Sequence, residues 1–204
     1  MPNNKRNFSH QLSDVKLPHD KKKLKDLAKK TKQDVPVWEG GFFIPMAFLI
    51  LSLALFSTAY PYSVNGIFLT SMILYIFAAF LLFIFCRTIL RRRTPYFILT
   101  PYGLVTSVFK TPINWNGIQD FQINSSKTNA MNIAVGMEFL IDPKFLPEQN
   151  IKRRWGSYYD TRTEKLYISG FNFHHDMNRD KLIEMILLYR NAALARQKLE
   201  QRSF

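Results

Sequence analysis

The chain has 204 residues, with 28 Lys and Arg against 15 Asp and Glu and a formal charge of +13. That length suits one ordinary domain, or a smaller domain plus membrane segments, and leaves little room for a two-domain enzyme of the large α/β classes. A lone cysteine, Cys86, excludes a disulfide scaffold. Charge alone suggests a partner such as nucleic acid or a membrane surface. A mean hydropathy of only -0.11 beside 18 Phe, however, means that the apolar residues are concentrated in part of the chain.

Residues 1–36 hold ten Lys or Arg against four Asp. A helix from His19 to Gln33 would offer only Leu24, Leu27 and Ala28 for burial, so the segment reads as a basic, disordered cytoplasmic tail. The run Lys21-Lys22-Lys23 suits contact with an anionic membrane surface. Nucleic acid is disfavoured, because no aromatic residues interleave the cations for stacking.

Residues 37–93 read as a transmembrane hairpin. From Gly40 to Cys86, 47 residues pass without a charge, enough for spans over 41–60 and 66–86 joined by a turn at Pro61–Asn65. Neither span has a polar stripe: Phe48 to Leu51, and Ile76, Phe77 and Phe80 to Phe83, cover every side of a helix. The depth of the run in the chain and its doubling argue against a cleaved signal peptide. Trp38, Tyr60 and Tyr62 fall where interfacial aromatics are favoured, and both flanks are basic, so both termini are expected in the cytoplasm. Arg91, Arg92 and Arg93 follow the second span as further candidates for membrane-surface contact. No ionisable group inside the spans suggests a proton relay or a voltage sensor. Ser52, Ser57, Thr58, Thr70 and Ser71 are expected to satisfy themselves on their own helix backbones rather than across the hairpin. Cys86 reads as a packed or lipid-facing thiol, with palmitoylation as the alternative.

Residues 94–204 change pattern to short apolar runs broken by turns. Tyr96–Leu99 and Leu104–Phe109 read as strands around the turn Thr100-Pro101-Tyr102-Gly103, followed by Ile113–Trp115, the turn Asn116-Gly117, and Ile118–Ile123. Alternation through Ile133, Val135, Met137, Phe139 and Ile141 predicts a strand with one buried face. Leu166–Ile168 reads as a last strand. A helix over 178–201 then closes the chain, its apolar face running through Leu182, Met185, Ile186, Tyr189, Ala193 and Leu194.

Several antiparallel strands followed by one amphipathic helix form an α+β arrangement in which the helix covers the open side of a small sheet or barrel. The run Tyr96 to Leu104, followed by Ile113-Asn114-Trp115-Asn116-Gly117-Ile118, resembles the start of bacterial pleckstrin-homology-like (PH-like) domains: strand, Thr-x-x-Gly-hydrophobic, strand, then hydrophobic-x-Trp-x-x-Ile. The resemblance covers about Tyr96 to Leu199 and is specific at its beginning. It implies a small antiparallel β-sandwich or partly open barrel capped by the C-terminal helix, following a two-helix hairpin in a bacterial inner membrane. Most such proteins have no assigned activity. The turn Thr100–Gly103 lacks Lys and Arg, so the headgroup recognition of eukaryotic relatives is not carried over. Gly103 suits a turn needing an unusual backbone angle, and Trp115 suits core filling.

The best candidate contact patch is Lys152, Arg153, Arg154 and Trp155 with Tyr158 and Tyr159, cations beside aromatics that could meet lipid headgroups, an acidic protein or RNA, the membrane tether favouring the first two; a solvated loop whose aromatics fold back on the core is the plainer alternative. His174-His175-Asp176 lacks the converging ligands of a metal site, and no cofactor or catalytic motif is present. The expected function is a non-enzymatic, membrane-anchored binding module for a protein partner or a second copy. The alternatives are an immunity protein against a toxin acting at the inner membrane, and an accessory subunit of a membrane enzyme or transporter.

Overall fold

The computed structural model describes residues 10–11, 17–18, 20–41, 43–128, 131–151, 153–154, 156–170, 172–173 and 176–201. They form two compact units. One comprises the chain up to Glu39 together with the chain from Pro95 onward, the other Gly40–Thr94.

The second unit is a pair of helices, α2 (Phe43–Val64) and α3 (Phe68–Arg91). At about 1.5 Å per residue they are about 33 and 36 Å long, and both are long and apolar enough to cross a membrane. Only 17% and 11% of their most apolar stretches are buried. Apart from Pro45 and Arg91 near the two ends, the buried positions are small or hydroxylated, Ser52 and Ala59 on α2 and Ser71, Ala78 and Thr88 on α3. They allow the backbones to approach, as in helix pairs packed in lipid. The expectation that the hydroxyls stay on their own backbones holds for Ser57 and Thr58, which donate to the carbonyls of Ala54 and Leu55, and Thr88 likewise donates to the Ile84 carbonyl. Ser52 departs from it: its hydroxyl crosses to the Ala78 carbonyl at 2.8 Å.

The turn also lies later than expected. α2 continues through Pro61, which falls in its last turn, to Val64, and beyond the proline the amides of Asn65 and Ile67 still reach the carbonyls of Pro61 and Tyr62. Reversal falls at Asn65-Gly66-Ile67, where Gly66 has φ +78°, a left-handed angle that glycine adopts without a Cβ clash. At the other end, the Arg92 guanidinium donates to the carbonyls of Gly40 and Gly41 at 3.0 and 2.5 Å.

The first unit holds two antiparallel sheets around one core. A four-stranded sheet runs β2 (Val35–Val37), β4 (Phe97–Leu99), β5 (Gly103–Thr106), β6 (Ile113–Asn114). A five-stranded sheet has the order β1 (His10–Gln11), β7 (Ile118–Thr128), β8 (Met131–Ile141), β10 (Lys165–Gly170), β9 (Ser157–Asp160). Two further short strands, β3 (Glu39–Gly40) and β11 (Asn172–Phe173), form a ladder of their own. Period-two burial puts Val135, Met137, Phe139 and Ile141 of β8 in the core. There Phe139 meets Phe97 edge-on at 5.7 Å and stacks near Phe121 at 6.1 Å. The helix α4 (Arg179–Gln201) adds Leu182, Ile186 and Tyr189 to the same core. Further along, Ala192 and Ala195 are fully buried, the expected Ala193 packs partly buried against the core, and the expected Leu194 is half-buried.

Three local readings change. The section between β8 and β10, expected to be irregular, contains the edge strand β9. β10 is followed by β11 and is not the last strand. Gly103 is required by space: a Cβ there would stand 2.3 Å from the Ile113 carbonyl oxygen, and its φ is not among the positive ones.

The largest departure concerns the expected disordered tail. Within residues 17–39 the chain forms a helix, α1 (Lys21–Lys29), and the edge strand β2. Leu24 is fully buried and α1 lies against α4. β2 pairs with β4, opposing Val35 to Leu99 and Val37 to Phe97. Pro36 is tolerated because β2 is an edge strand, with no second neighbour to receive its missing donor. Two links from α4 complete the attachment: the Tyr189 hydroxyl donates to the Gln33 carbonyl at 2.6 Å, and Arg196 donates to the Thr31 carbonyl and hydroxyl. A segment too polar to build a core of its own is ordered by completing one built elsewhere.

Candidate functional site

The cation and aromatic patch is split by the fold. Gly156, at φ +85°, turns the chain into β9, and a strand sends successive side chains to opposite faces. Tyr158 is 47% exposed and stacks on Tyr167, its neighbour on β10, with ring centroids 4.9 Å apart. Tyr159 points inward and meets Phe109 edge-on at 5.6 Å. Burial, then the carboxylates of Glu164 and Asp160, raises the Tyr159 phenol above its ordinary value. Arg153 is exposed, as is Ile151 at 94%, whereas Arg154 is buried. Lys152 and Trp155, and also His174 and His175, lie outside the described residues.

Arg154 is therefore corrected from a contact residue to a structural one. Its guanidinium forms an ion pair with Glu39 in which neither side chain is exposed. The same group donates to the Ser169 carbonyl at 3.1 Å and lies over the Tyr96 ring, 4.3 Å from its centroid. Its backbone amide donates to the Ser107 hydroxyl. Tyr159 is corrected in the same way: it is core. A carboxylate and a guanidinium withdrawn from water are tolerable only when paired and hydrogen-bonded, and here 115 residues of sequence separate the partners. Sequence did hold one clue. Glu39 is the only acidic residue between Asp34 and Asp120, and no Lys or Arg lies between Lys32 and Arg87, so its counter-charge has to come from farther along the chain.

The basic candidates also divide. Lys21, Lys22 and Lys23 are exposed in the first turn of α1. Among the arginines after the second span, Arg93 is exposed, Arg91 is buried, and Arg92 is engaged with Gly40 and Gly41.

A groove of about 280 Å³ opens between the β4–β5 turn, β6 and the end of α4, lined in part by Pro101, Tyr102, Asn114, Asn116, Arg196 and Gln197. Its polar groups serve one another. Asn116 donates to Gln197 at 2.8 Å, and Arg196 donates to the Pro101 carbonyl as well as to Thr31. At the turn itself, the Thr100 hydroxyl accepts from the amides of Tyr102 and Gly103, and the Thr100 carbonyl accepts from the Trp115 indole at 2.9 Å. Trp115 is completely buried. This groove is a joint that fastens α4 and residues 17–39 to the first sheet. Among the described residues, no three His, Cys, Asp or Glu side chains gather as a metal site would require.

Comparison with protein-family models, with curated proteins and with solved structures finds no match to this chain. The functional reading therefore rests on the chain's own geometry.

Proposed function

We propose that this is an integral protein of a bacterial inner membrane, with α2 and α3 as two spans, both termini in the cytoplasm, and a non-enzymatic PH-like module that binds a protein partner. The carrying observation is the outward face of the helix pair. Phe43, Phe68, Leu69, Phe80 and Phe83 are among the large apolar side chains exposed there, while the residues between the helices are small. Water would penalise such a surface by roughly 25 cal/mol per Å² of exposed apolar area, and a bilayer removes that penalty. Basic residues on both flanks and none in the turn support the cytoplasmic placement of the termini. Two antiparallel sheets closed by a long C-terminal helix support the PH-like reading of the other unit. For a partner, the exposed set Ile151, Arg153 and Tyr158 supplies an aliphatic, a cationic and an aromatic group, the kinds that anchor protein interfaces.

The test has two arms. Alkaline washing should leave the protein in the membrane fraction, and a reporter fused after Phe204 should be active only on the cytoplasmic side; release, or activity on the opposite side, would overturn the anchor or its orientation. A photo-crosslinking residue at Tyr158 should give a discrete adduct in cells that one at Lys110 does not. Identical patterns from the two positions would count against a partner at this face.

A further inference from the structure

Helix α1 carries five lysines in nine residues, against the single aspartate Asp26. With Leu24 buried against the fold, the helical repeat of 3.6 residues places Lys22, Lys25 and Lys29 together on the opposite side, at spacings of three and four, and all three are exposed. Lys21 and Lys23 flank them and are also exposed. No ion pair joins any of these lysines to a carboxylate among the described residues.

This placement works against the helix. Lys21, Lys22 and Lys23 stand in the first turn, where the partial positive charge of the backbone opposes cations, and the turn has no acidic residue beyond the capping Asp20. The like-charge pairs Lys21–Lys25 and Lys25–Lys29 lie four apart, which is also unfavourable, and the exposed Asp26, four after Lys22 and three before Lys29, offsets this only in part. Burying Leu24 would be served equally well by acidic or neutral residues on the outer side. The charge is thus matched to something outside the fold.

We propose that the outer face of α1 is a docking surface for the anionic headgroups of the bilayer. The proposal rests on the membrane-anchored reading above. The anchor supplies the occupant: Lys29 and Phe43 are 14 positions apart, so even a fully extended chain keeps α1 within about 50 Å of the first span. A site held that close is occupied at an affinity too weak to recruit a free protein. Because α1 is fixed on α4, its lysines act as one rigid face, and headgroup contact supplies counter-charge beyond that of the single Asp26.

Amine-reactive footprinting of the wild-type, full-length protein tests this without relying on a variant that must fold. The protein is placed in nanodiscs of phosphatidylcholine, alone or with about 30% phosphatidylglycerol, and modification rates are read residue by residue. Lys22, Lys25 and Lys29 should react about fivefold more slowly in the anionic discs, and about 0.5 M salt should abolish the difference. Lys110 and Lys144, exposed elsewhere on the same unit, should react alike in both. Equal rates for the α1 lysines in the two lipids overturn the proposal, including the case in which the face serves an acidic protein instead. Retention of the protein by the discs is scored separately: retained protein with equal rates overturns only the docking face, whereas failure of retention in both lipids overturns the anchor and this proposal with it.

Discussion

Replacing either partner of the Glu39–Arg154 pair should be among the most damaging single changes available to the first unit. Neither side chain is exposed, so Arg154→Met leaves a carboxylate, and Glu39→Leu a guanidinium, in a site closed to water. Loss of one member of such a pair costs about 3–5 kcal/mol, a large part of the 5–15 kcal/mol that stabilises a typical domain. The corresponding fall in Tm is about 10 °C. The double variant Glu39→Leu/Arg154→Met strands no charge. It gives up the Arg154 contacts to the Ser169 carbonyl and over Tyr96, worth about 1.5–3 kcal/mol for the charge-assisted hydrogen bond and about 1–2 kcal/mol for the desolvated cation–π contact. The two single losses together come to about 6–10 kcal/mol, so the double variant should recover several kcal/mol relative to their sum. Unfolding of the full-length protein in detergent, followed by tryptophan fluorescence with the buried Trp115 as probe, measures all four corners of the cycle. Single losses under about 1 kcal/mol, or losses that simply add, would refute the buried-pair reasoning.

Three further outcomes follow from local geometry. Glu164 has φ 56°, a left-handed angle that strains a residue bearing a Cβ, so Glu164→Gly should raise stability by about 0.5–1 kcal/mol in the same unfolding assay. Tyr189→Phe removes the donor to the Gln33 carbonyl; a loss of about 1 kcal/mol, with faster proteolysis within residues 17–39, is expected, and an unchanged cleavage rate would contradict the tethering of that segment. Asp160 accepts from the Arg162 amide and the Thr163 hydroxyl, and these bonds hold its carboxyl below the ordinary 3.8. Its contribution is therefore fully present above that ordinary value and lost as pH falls through the lowered one, so the stability gap between the wild type and Asp160→Ala should narrow on acidification, as read by unfolding midpoints over an acid pH series.

How far the sequence reaches can be judged element by element. Strand β8 was legible because one buried face imposes a period of two on Val135, Met137, Phe139 and Ile141, and the apolar helices because lipid-scale length and missing charge are properties of a continuous run. α4 was legible in its position but shifted in its buried face, since Leu182, Ile186 and Tyr189 fit the helical period and the small Ala192 and Ala195 gave no hydrophobic mark of their own. β9 escaped notice because an edge strand of four residues interrupted by neither a long alternation nor a clear apolar face carries little pattern.

Of the candidate patch, local sequence gave the chemistry but not its direction. Arg153 and Arg154 are adjacent and chemically identical, yet one is exposed and the other is buried against Glu39. That choice depends on the turn at Gly156 and on a partner brought from the far side of the hairpin. The +13 charge has the same history. Sequence by itself determined how much basic charge there is, and that most of it flanks the apolar run, because composition and spacing are local. Only the tertiary structure decided which cations face outward: Arg154 and Arg196 are consumed by internal partners, whereas the lysines of α1 are held outward on a helix that Leu24 docks. A segment that cannot bury enough surface to fold alone becomes ordered when a neighbouring helix and an open strand edge already wait for it. That opportunity lies outside the segment's own residues, so no reading confined to them could find it.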